Sequence, residues 1–359
     1  MVSIASFRTE LIQTHLASEF VTTYGSEPTT RHHVIVWISA DNGVTGIGEA
    51  CPLPFTADDD FSHIKRVVDQ DLGPSLIGMD PFDFDLLNKS LEEFPQAGGT
   101  ARAGVDIALH DLAGKLRGVP VYQILGGLSR DHVELTKVLG IGNPAEIAKM
   151  ALQEVEQGAK AIKIKVGIEP DQDIETLKLV RDVVGDSVRI RADANTGYSV
   201  ETALKVLHRT ENVDLEYLEQ PVAADDHAGL GLIRKEGGTP IMADESLYTI
   251  KDAESLIEHE SVDLFGLKLI KHGGIYRARQ IASLAEEHGI ECVAISPWET
   301  QIGVSAAVHL VLSGSNFNHP HEIGTQELAD DPVQGLVEDQ RTILPTVGPG
   351  LGVDFQNSS

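Results

Sequence analysis

Two lysines spaced two apart, Lys163 and Lys165, are followed by three acids, Asp193, Glu219 and Asp244, and then by another lysine, Lys268. Each acid closes a short, largely apolar run and precedes a polar turn. Arg189-Ile190-Arg191-Ala192-Asp193 leads into Ala194-Asn195-Thr196-Gly197, Leu215–Glu219 into Gln220-Pro221, and Pro240–Asp244 into Glu245-Ser246. The acids lie 26 and 25 positions apart (193 to 219, 219 to 244), about one strand plus one helix. A carboxylate at the end of a buried strand is costly unless a cation meets it. Three hard oxygen donors on adjacent strands suit Mg²⁺, with Mn²⁺ as a substitute, whereas a zinc site more often includes His or Cys. Such a cation, holding a substrate carboxylate, stabilises the charge that develops when the α-proton leaves and an enediolate forms. Lys165 is the expected general base. Lys163, on the same face of the strand, is its tuner, because one ammonium disfavours a second beside it. Taken singly, a strand-end acid is a helix cap or a solvated residue, and Lys-x-Lys is a solvated strand end. The combination at consecutive strand ends carries the reading.

The elements that must position these residues form two grammars. Residues 1–60 read as β: Val34–Ile38 is a strand, Asp41-Asn42-Gly43 a hairpin turn, and 44–49 the return. The segment from Leu16 to Thr30, with Phe20 and Tyr24, is a surface connection or a lid, and Pro52-Leu53-Pro54-Phe55 is a second loop. Residues 61–126 turn helical, with a helix over 100–115 stopped at Gly118-Val119-Pro120. From 131 strands and helices alternate. Strands are expected at 133–140, 161–166, 188–193, 214–219, 240–243, 262–269 and 291–295. Helices are expected at 144–157, 170–184, 199–209, 225–235, 250–258, 274–288 and 301–313, with a last strand near 316–322.

The fold class is therefore α/β: a (β/α)7β TIM-like barrel with an N-terminal α+β capping domain. The expected domains are a cap over 1–130, a catalytic barrel over 131–325, and a segment over 326–359, including Gly348-Pro349-Gly350, that returns to complete the cap. Working residues of such barrels sit at the carboxyl ends of strands. Lys268 on strand six then faces Lys165 across the mouth, with the acids between them. Asn195 and Glu245 stand beside the ligands. Glu322, Trp298, Tyr24 and Phe20 are candidates for touching substrate, with rim packing the alternative for Trp298. His272, His319 and His321 read as loop histidines.

At 359 residues the chain exceeds a single ordinary core, and its 42% hydrophobic content is that of a globular protein. Lys and Arg number 28 against 55 Asp and Glu, a net charge of −27, which argues against nucleic acid or an anionic membrane as partner. Cys51 and Cys292 form no disulfide framework, so a reduced cytoplasmic setting is expected. From Met1–Ala5 no signal peptide is expected, and no apolar run reaches membrane-spanning length.

At Lys163-Ile164-Lys165, Asp193-Ala194-Asn195, Glu219-Gln220-Pro221, Asp244-Glu245-Ser246 and Lys268 followed by Lys271-His272-Gly273-Gly274, the chain resembles the enolase superfamily and, within it, the muconate lactonizing enzyme subgroup. The resemblance spans nearly the whole chain, including Gly46-Ile47-Gly48-Glu49-Ala50. It implies that Lys165 and Lys268 are two acid/base groups, that Asp193, Glu219 and Asp244 hold Mg²⁺, that cap loops shape substrate choice, and that the protein forms a homo-oligomer. Mandelate-racemase relatives use a His–Asp pair at the later strands, and Lys268 sets this chain outside them. Residues 48–54 look like dipeptide epimerases and acyl-amino-acid racemases. Dipeptide epimerases, however, carry Asp-x-Asp at strand eight, where this chain has Asn318-His319-Pro320-His321-Glu322, and Glu322 resembles the glutamate of muconate cycloisomerases. The expected reaction is racemisation or epimerisation of a small-molecule carboxylate, an amino-acid derivative. Muconate-type cycloisomerisation or β-elimination on the same scaffold is the alternative. A non-catalytic metal-binding protein would have no need of both lysines.

Overall fold

The structure, a computed structural model, describes residues 2–53 and 60–356. Pro54 and Phe55 of the second loop lie outside the described residues, as do the extreme ends of the first and last expected domains.

The cap begins with a three-stranded antiparallel sheet, Ile4–His15, Thr30–Ala40 and Thr45–Ala50, with the long second strand in the middle. Its turn carries Gly43 at φ 86°, a left-handed position that glycine takes without strain. Behind it lies the helix Gly98–Arg117, ended by Gly118 at φ 68°. Sheet and helix approach closely because the contact is lined with glycine. A Cβ on Gly48 would collide with the Gly104 carbonyl and the Ala108 amide nitrogen. Val34, Val36, Ile38, Leu109 and Leu112 fill the cap core.

Seven parallel strands follow in sequence order around a sheet: Lys137–Leu139, Ala161–Lys165, Arg189–Asp193, Leu215–Glu219, Ile241–Ala243, Leu264–Leu267 and Glu291–Ala294. They are the first to seventh barrel strands below. The ring closes through single bridges, Leu135 with His321 and Ile295 with Glu322, rather than through a full eighth strand. The backbone bonds Thr136 N to His321 O (2.7 Å) and Glu322 N to Ala294 O (2.9 Å) make that seam. The first expected strand, 133–140, is broken in two. Val133–Glu134 pairs antiparallel with Thr342–Ile343 and leaves only 137–139 in the barrel ladder.

Most outer helices are amphipathic and bury one face against the strands, whereas Gln301–Ser313, between barrel and cap, is buried nearly all round. Pro144–Glu156 starts at Asn143, whose side chain accepts from the Ala145 and Glu146 amides, and Ile250–Glu258 starts with a Thr249/Asp252 capping box. The C-terminal stretch crosses back to the cap. Leu351 N donates to Asp111 Oδ1 of the cap helix (2.8 Å), and Phe355 stacks on Trp37 at 5.8 Å between centroids.

Candidate active site

Side chains alternate along each barrel strand, so residues two apart share the interior. The deeper layer inside the ring is Arg191, Tyr217 and Met242; the layer above it is Asp193, Glu219 and Asp244. Arg191 is wholly buried, bonded to Glu216 (2.6 Å), to Thr136 Oγ1 (2.6 Å) and to the Pro320 carbonyl (2.7 Å), and lies 4.8 Å over the Tyr217 ring. This floor braces what stands on it, because the Tyr217 hydroxyl donates to Glu322 Oε1 at 3.3 Å.

Parallel register sets Lys165 opposite Asp193, and Asp193 opposite Glu219. Asp244 follows the fifth strand, in a turn held by Gln220. The Gln220 side-chain oxygen accepts from the Asp244 and Ser246 amides (3.0 and 3.1 Å), and its nitrogen donates to Ser246 Oγ at 2.7 Å. Asn195 and Thr196 turn the chain after the third strand at φ 38° and 65°.

The lysines lie on the acids. Lys163, 2% exposed, is 3.0 Å from Asp193 Oδ2, 2.6 Å from Glu219 Oε2 and 2.7 Å from Glu322 Oε2. Lys165 donates to Asp193 Oδ2 at 2.5 Å and to Asn195 Oδ1 at 3.0 Å. From the other side, Lys268 reaches Asp244 Oδ2 at 2.5 Å, and Lys271 reaches Asp244 Oδ1 and its carbonyl, both at 2.6 Å. Lys165 and Lys268 thus flank the acid cluster, each bonded to a different aspartate. Asn195 and Glu245 are joined at 3.1 Å, and Glu245 also accepts from the Tyr24 hydroxyl at 2.9 Å.

Burial pushes Asp193 and Asp244 up, but the ammonium groups outweigh it and hold both below the ordinary carboxylate range. Glu219 goes the other way. Burial and the charges of Asp193, Glu322 and Asp244 raise it well above the usual value, Lys163 notwithstanding. Burial also works against the charge on Lys163 and Lys268, yet the surrounding acids raise both. Five acids (Asp193, Glu219, Asp244, Glu245, Glu322) meet four lysines (163, 165, 268, 271), and Glu219 Oε1 and Glu245 Oε2 are buried without a hydrogen-bond partner. The cluster carries orphaned hard oxygens at Glu219 and Glu245. Asp193, Glu219 and Asp244 therefore fit a small divalent cation such as Mg²⁺.

Above the cluster lies a cavity of about 290 Å³. Lys165, Lys268, Asp244 and Glu322 form its charged base, and Phe20, Tyr24, Leu53 and Trp298 its apolar rim. All four side chains expected to touch substrate thus line it. Asp193 and Glu219 lie beneath. The segment over 16–30 folds as a small hairpin, Val21–Thr22 with Gly25–Ser26, across the mouth. It is tied down by Thr23 Oγ1 to the Asn195 carbonyl (3.1 Å) and by Ile141 N to the Val21 carbonyl (2.9 Å).

Of the three histidines expected in loops, His319 lies in one, bonded to Glu216 at 2.8 Å, whereas the other two are buried. His321 is buried in the closing seam, accepting from the Ala294 amide at 3.1 Å, and burial holds it neutral. His272 is buried too, pushed down to about 3 by desolvation and then by Lys271. A second polar cluster went unread in the sequence. Glu49 of the cap accepts from His33 (2.6 Å), Thr300 N (3.0 Å), Thr300 Oγ1 (2.6 Å) and Gly303 N (3.0 Å), which pins the cap sheet to the N-terminus of the last barrel helix, Gln301–Ser313. Burial opposes the charge on His33, but Cys51 and Glu49 outweigh it and raise the imidazole to about 10. With both oxygens of Glu49 engaged, this cluster is a joint between domains.

Residues 9–126 match the family model for the N-terminal domain of mandelate racemase / muconate lactonizing enzyme, and residues 146–359 match the enolase C-terminal domain-like model. An L-Ala-D/L-Glu epimerase of Clostridium acetobutylicum is 34% identical over 328 residues, covering 90% of this chain and 91% of that protein. An N-succinyl-L-Arg/Lys racemase of Bacillus cereus is 30% identical over 359 residues, 100% of this chain and 97% of that one. The crystal structure of a dipeptide epimerase from Enterococcus faecalis, complexed with Mg and the dipeptide L-Leu-L-Tyr, superposes with a TM-score of 0.93 at 30% identity, covering 98% of this chain and 99% of that chain. Among the described residues no helix is long and apolar enough to cross a membrane.

Proposed function

The chain belongs to the mandelate racemase / muconate lactonizing enzyme family of the enolase superfamily and is an isomerase, and we propose that it racemises or epimerises an amino-acid derivative through Lys165 and Lys268. The observation that carries this reading is the pair of lysines reaching a buried acid cluster from opposite sides, Lys165 on Asp193 and Lys268 on Asp244. Asp193, Glu219 and Asp244 would hold Mg²⁺. Bound there, the cation supplies a positive charge for the substrate carboxylate and for the negative charge that grows on it as the α-proton leaves.

This chain's own residues do the rest. One lysine, released from its aspartate as a neutral amine, takes the α-proton from one face. The ammonium of the other returns a proton to the opposite face, which inverts the centre. Lys163, fixed by three carboxylates, remains charged and helps to neutralise the acid layer. Gln220 holds the Asp244 turn. The hairpin over 16–30, with Trp298 and Leu53, keeps water from the amine that must stay unprotonated.

The test is α-proton exchange in D₂O, followed by NMR on N-acyl amino acids and dipeptides of both configurations. Lys165→Ala and Lys268→Ala should each abolish inversion while sparing exchange of one, opposite, configuration. Loss of neither activity in either variant would remove the two-base reading. Consumption of muconate without any exchange would give the scaffold to cycloisomerisation instead.

A further inference from the structure

Most acids that line the cavity are occupied. Glu322 is held by Lys163 (2.7 Å) and Tyr217 (3.3 Å), Glu327 by Lys137 (2.9 Å), and Asp244 by Lys268 and Lys271. Glu245 gives one oxygen to Tyr24 and Asn195; its other is also buried without a partner, but Glu245 directly follows Asp244 in the acid layer.

Glu27, on the lid hairpin, is different. Its side chain is 4% exposed and lines the cavity, yet Oε2 has no hydrogen-bond partner. Its one cationic neighbour within 4 Å among the described residues, Arg31, stands 3.7 Å away. That arginine is spent elsewhere: Nη2 donates to the Pro52 and Pro297 carbonyls, both at 3.4 Å, and the guanidinium lies 4.9 Å over the Trp298 ring. Arg31 fixes the lid, the second cap loop and the Trp298 loop to one another and leaves Glu27 facing inward with an open valence. Glu27 lines the same cavity as Lys165 and Lys268, so it stands over the reacting centre. A buried carboxylate oxygen with nothing to accept is unfavourable until a donor arrives.

We propose that Glu27 is a specificity residue whose free oxygen takes the cationic end of the substrate side chain, so that the preferred substrate is a derivative of a basic amino acid. The proposal rests on the racemase/epimerase reading above and names its substrate class. A neutral side chain of the same length would leave Oε2 unpaired in the closed cavity, and sites built around a polar partner reject such analogues strongly.

The experiment compares N-acetyl-lysine with N-acetyl-norleucine, which has the same chain without the ammonium, on the Mg²⁺-loaded protein. Exchange in D₂O gives kcat and KM, and calorimetry gives binding separately. The wild type should favour the lysine derivative by at least about tenfold in kcat/KM and in affinity, the scale of a hydrogen bond to a charged group. Glu27→Gln should lose that preference, chiefly through KM, with the norleucine derivative changed less than about threefold. Glu27→Asp, which keeps the charge, should retain the preference. Equal handling of the two ligands by the wild type overturns the proposal. So does a Glu27→Gln variant that keeps the preference, or that slows both substrates alike, which would make Glu27 a packing residue of the lid. If no substrate exchanges, the catalytic reading fails, but calorimetric preference for the lysine derivative and its loss in Glu27→Gln would still report the subsite.

Discussion

Replacing Lys163 by methionine isolates the electrostatics of the acid layer. Methionine keeps the length and most of the volume of the side chain, so packing changes little. What disappears is an ammonium, 2% exposed, that stands 2.6 to 3.0 Å from Asp193, Glu219 and Glu322. Removing one partner of a buried ion pair costs about 3–5 kcal/mol, because the remaining charge is left uncompensated. Here three carboxylates lose a shared partner, so the upper end applies to the metal-free protein. A divalent cation held by the same acids should offset part of that loss. A ligand at 100 times its Kd stabilises by about 2.7 kcal/mol, and the variant, with no ammonium competing for Asp193 and Glu219, should gain more than the wild type does. The assay is urea unfolding of both proteins in EDTA and in 10-fold increments of Mg²⁺. The expected result is a deficit of about 3–5 kcal/mol in EDTA that narrows by at least about 1 kcal/mol in saturating Mg²⁺. No deficit in EDTA would refute the role of Lys163 as the neutralising centre. A deficit unchanged by Mg²⁺ would refute the assignment of these acids as the metal ligands.

Glu299 is buried beside Glu49, with Oε1 unpartnered, and burial followed by the Glu49 charge pushes it up to about 8. Its folded pKa lies above the unfolded value, so its contribution is intact below about pH 4.5 and is lost as pH rises towards 8. Glu299→Gln should therefore match the wild type near pH 4 and exceed it in stability at pH 8.5 by on the order of a few kcal/mol, read as a higher thermal midpoint; equal pH profiles would count against a buried protonated acid. Gly48→Ala forces a methyl into the backbone of the cap helix at Gly104 and Ala108. It should destabilise by about 1–3 kcal/mol or more in a melting experiment, and a neutral result would mean that sheet and helix can separate without cost.

The acids at 193, 219 and 244 and the lysines at 163, 165 and 268 were readable because a barrel strand ends where its apolar run ends. Alternation then assigns the inward face without further information. The outer helices were readable for a similar reason, since Asn143-Pro144 and Thr249 with Asp252 mark their own starts. The eighth position was readable near 316–322, but its extent was not, because the stretch contributes only bridges at His321 and Glu322. Its order comes from neighbours distant in sequence, Glu134 and Ala294, not from a local pattern. The same holds for Gln220, whose side chain serves a turn 24 to 26 positions later, and for Glu49, whose partner Thr300 is 251 positions away. Glu27 looked like one acid among many in a chain that has 55. Only the loop enclosing it reveals that its oxygen goes unanswered.

The Glu49–Thr300 pin bears on how such a protein could be re-engineered. Caps and barrels from different relatives cannot be recombined freely at their border, because a barrel transplanted under a cap lacking Glu49 would expose the amide ends of its last helix to an empty, dry joint. Shuffled libraries should fail at this seam unless positions 33, 49 and 300 travel as one cassette, whereas exchanging only the hairpin over 16–30 should leave the chassis intact.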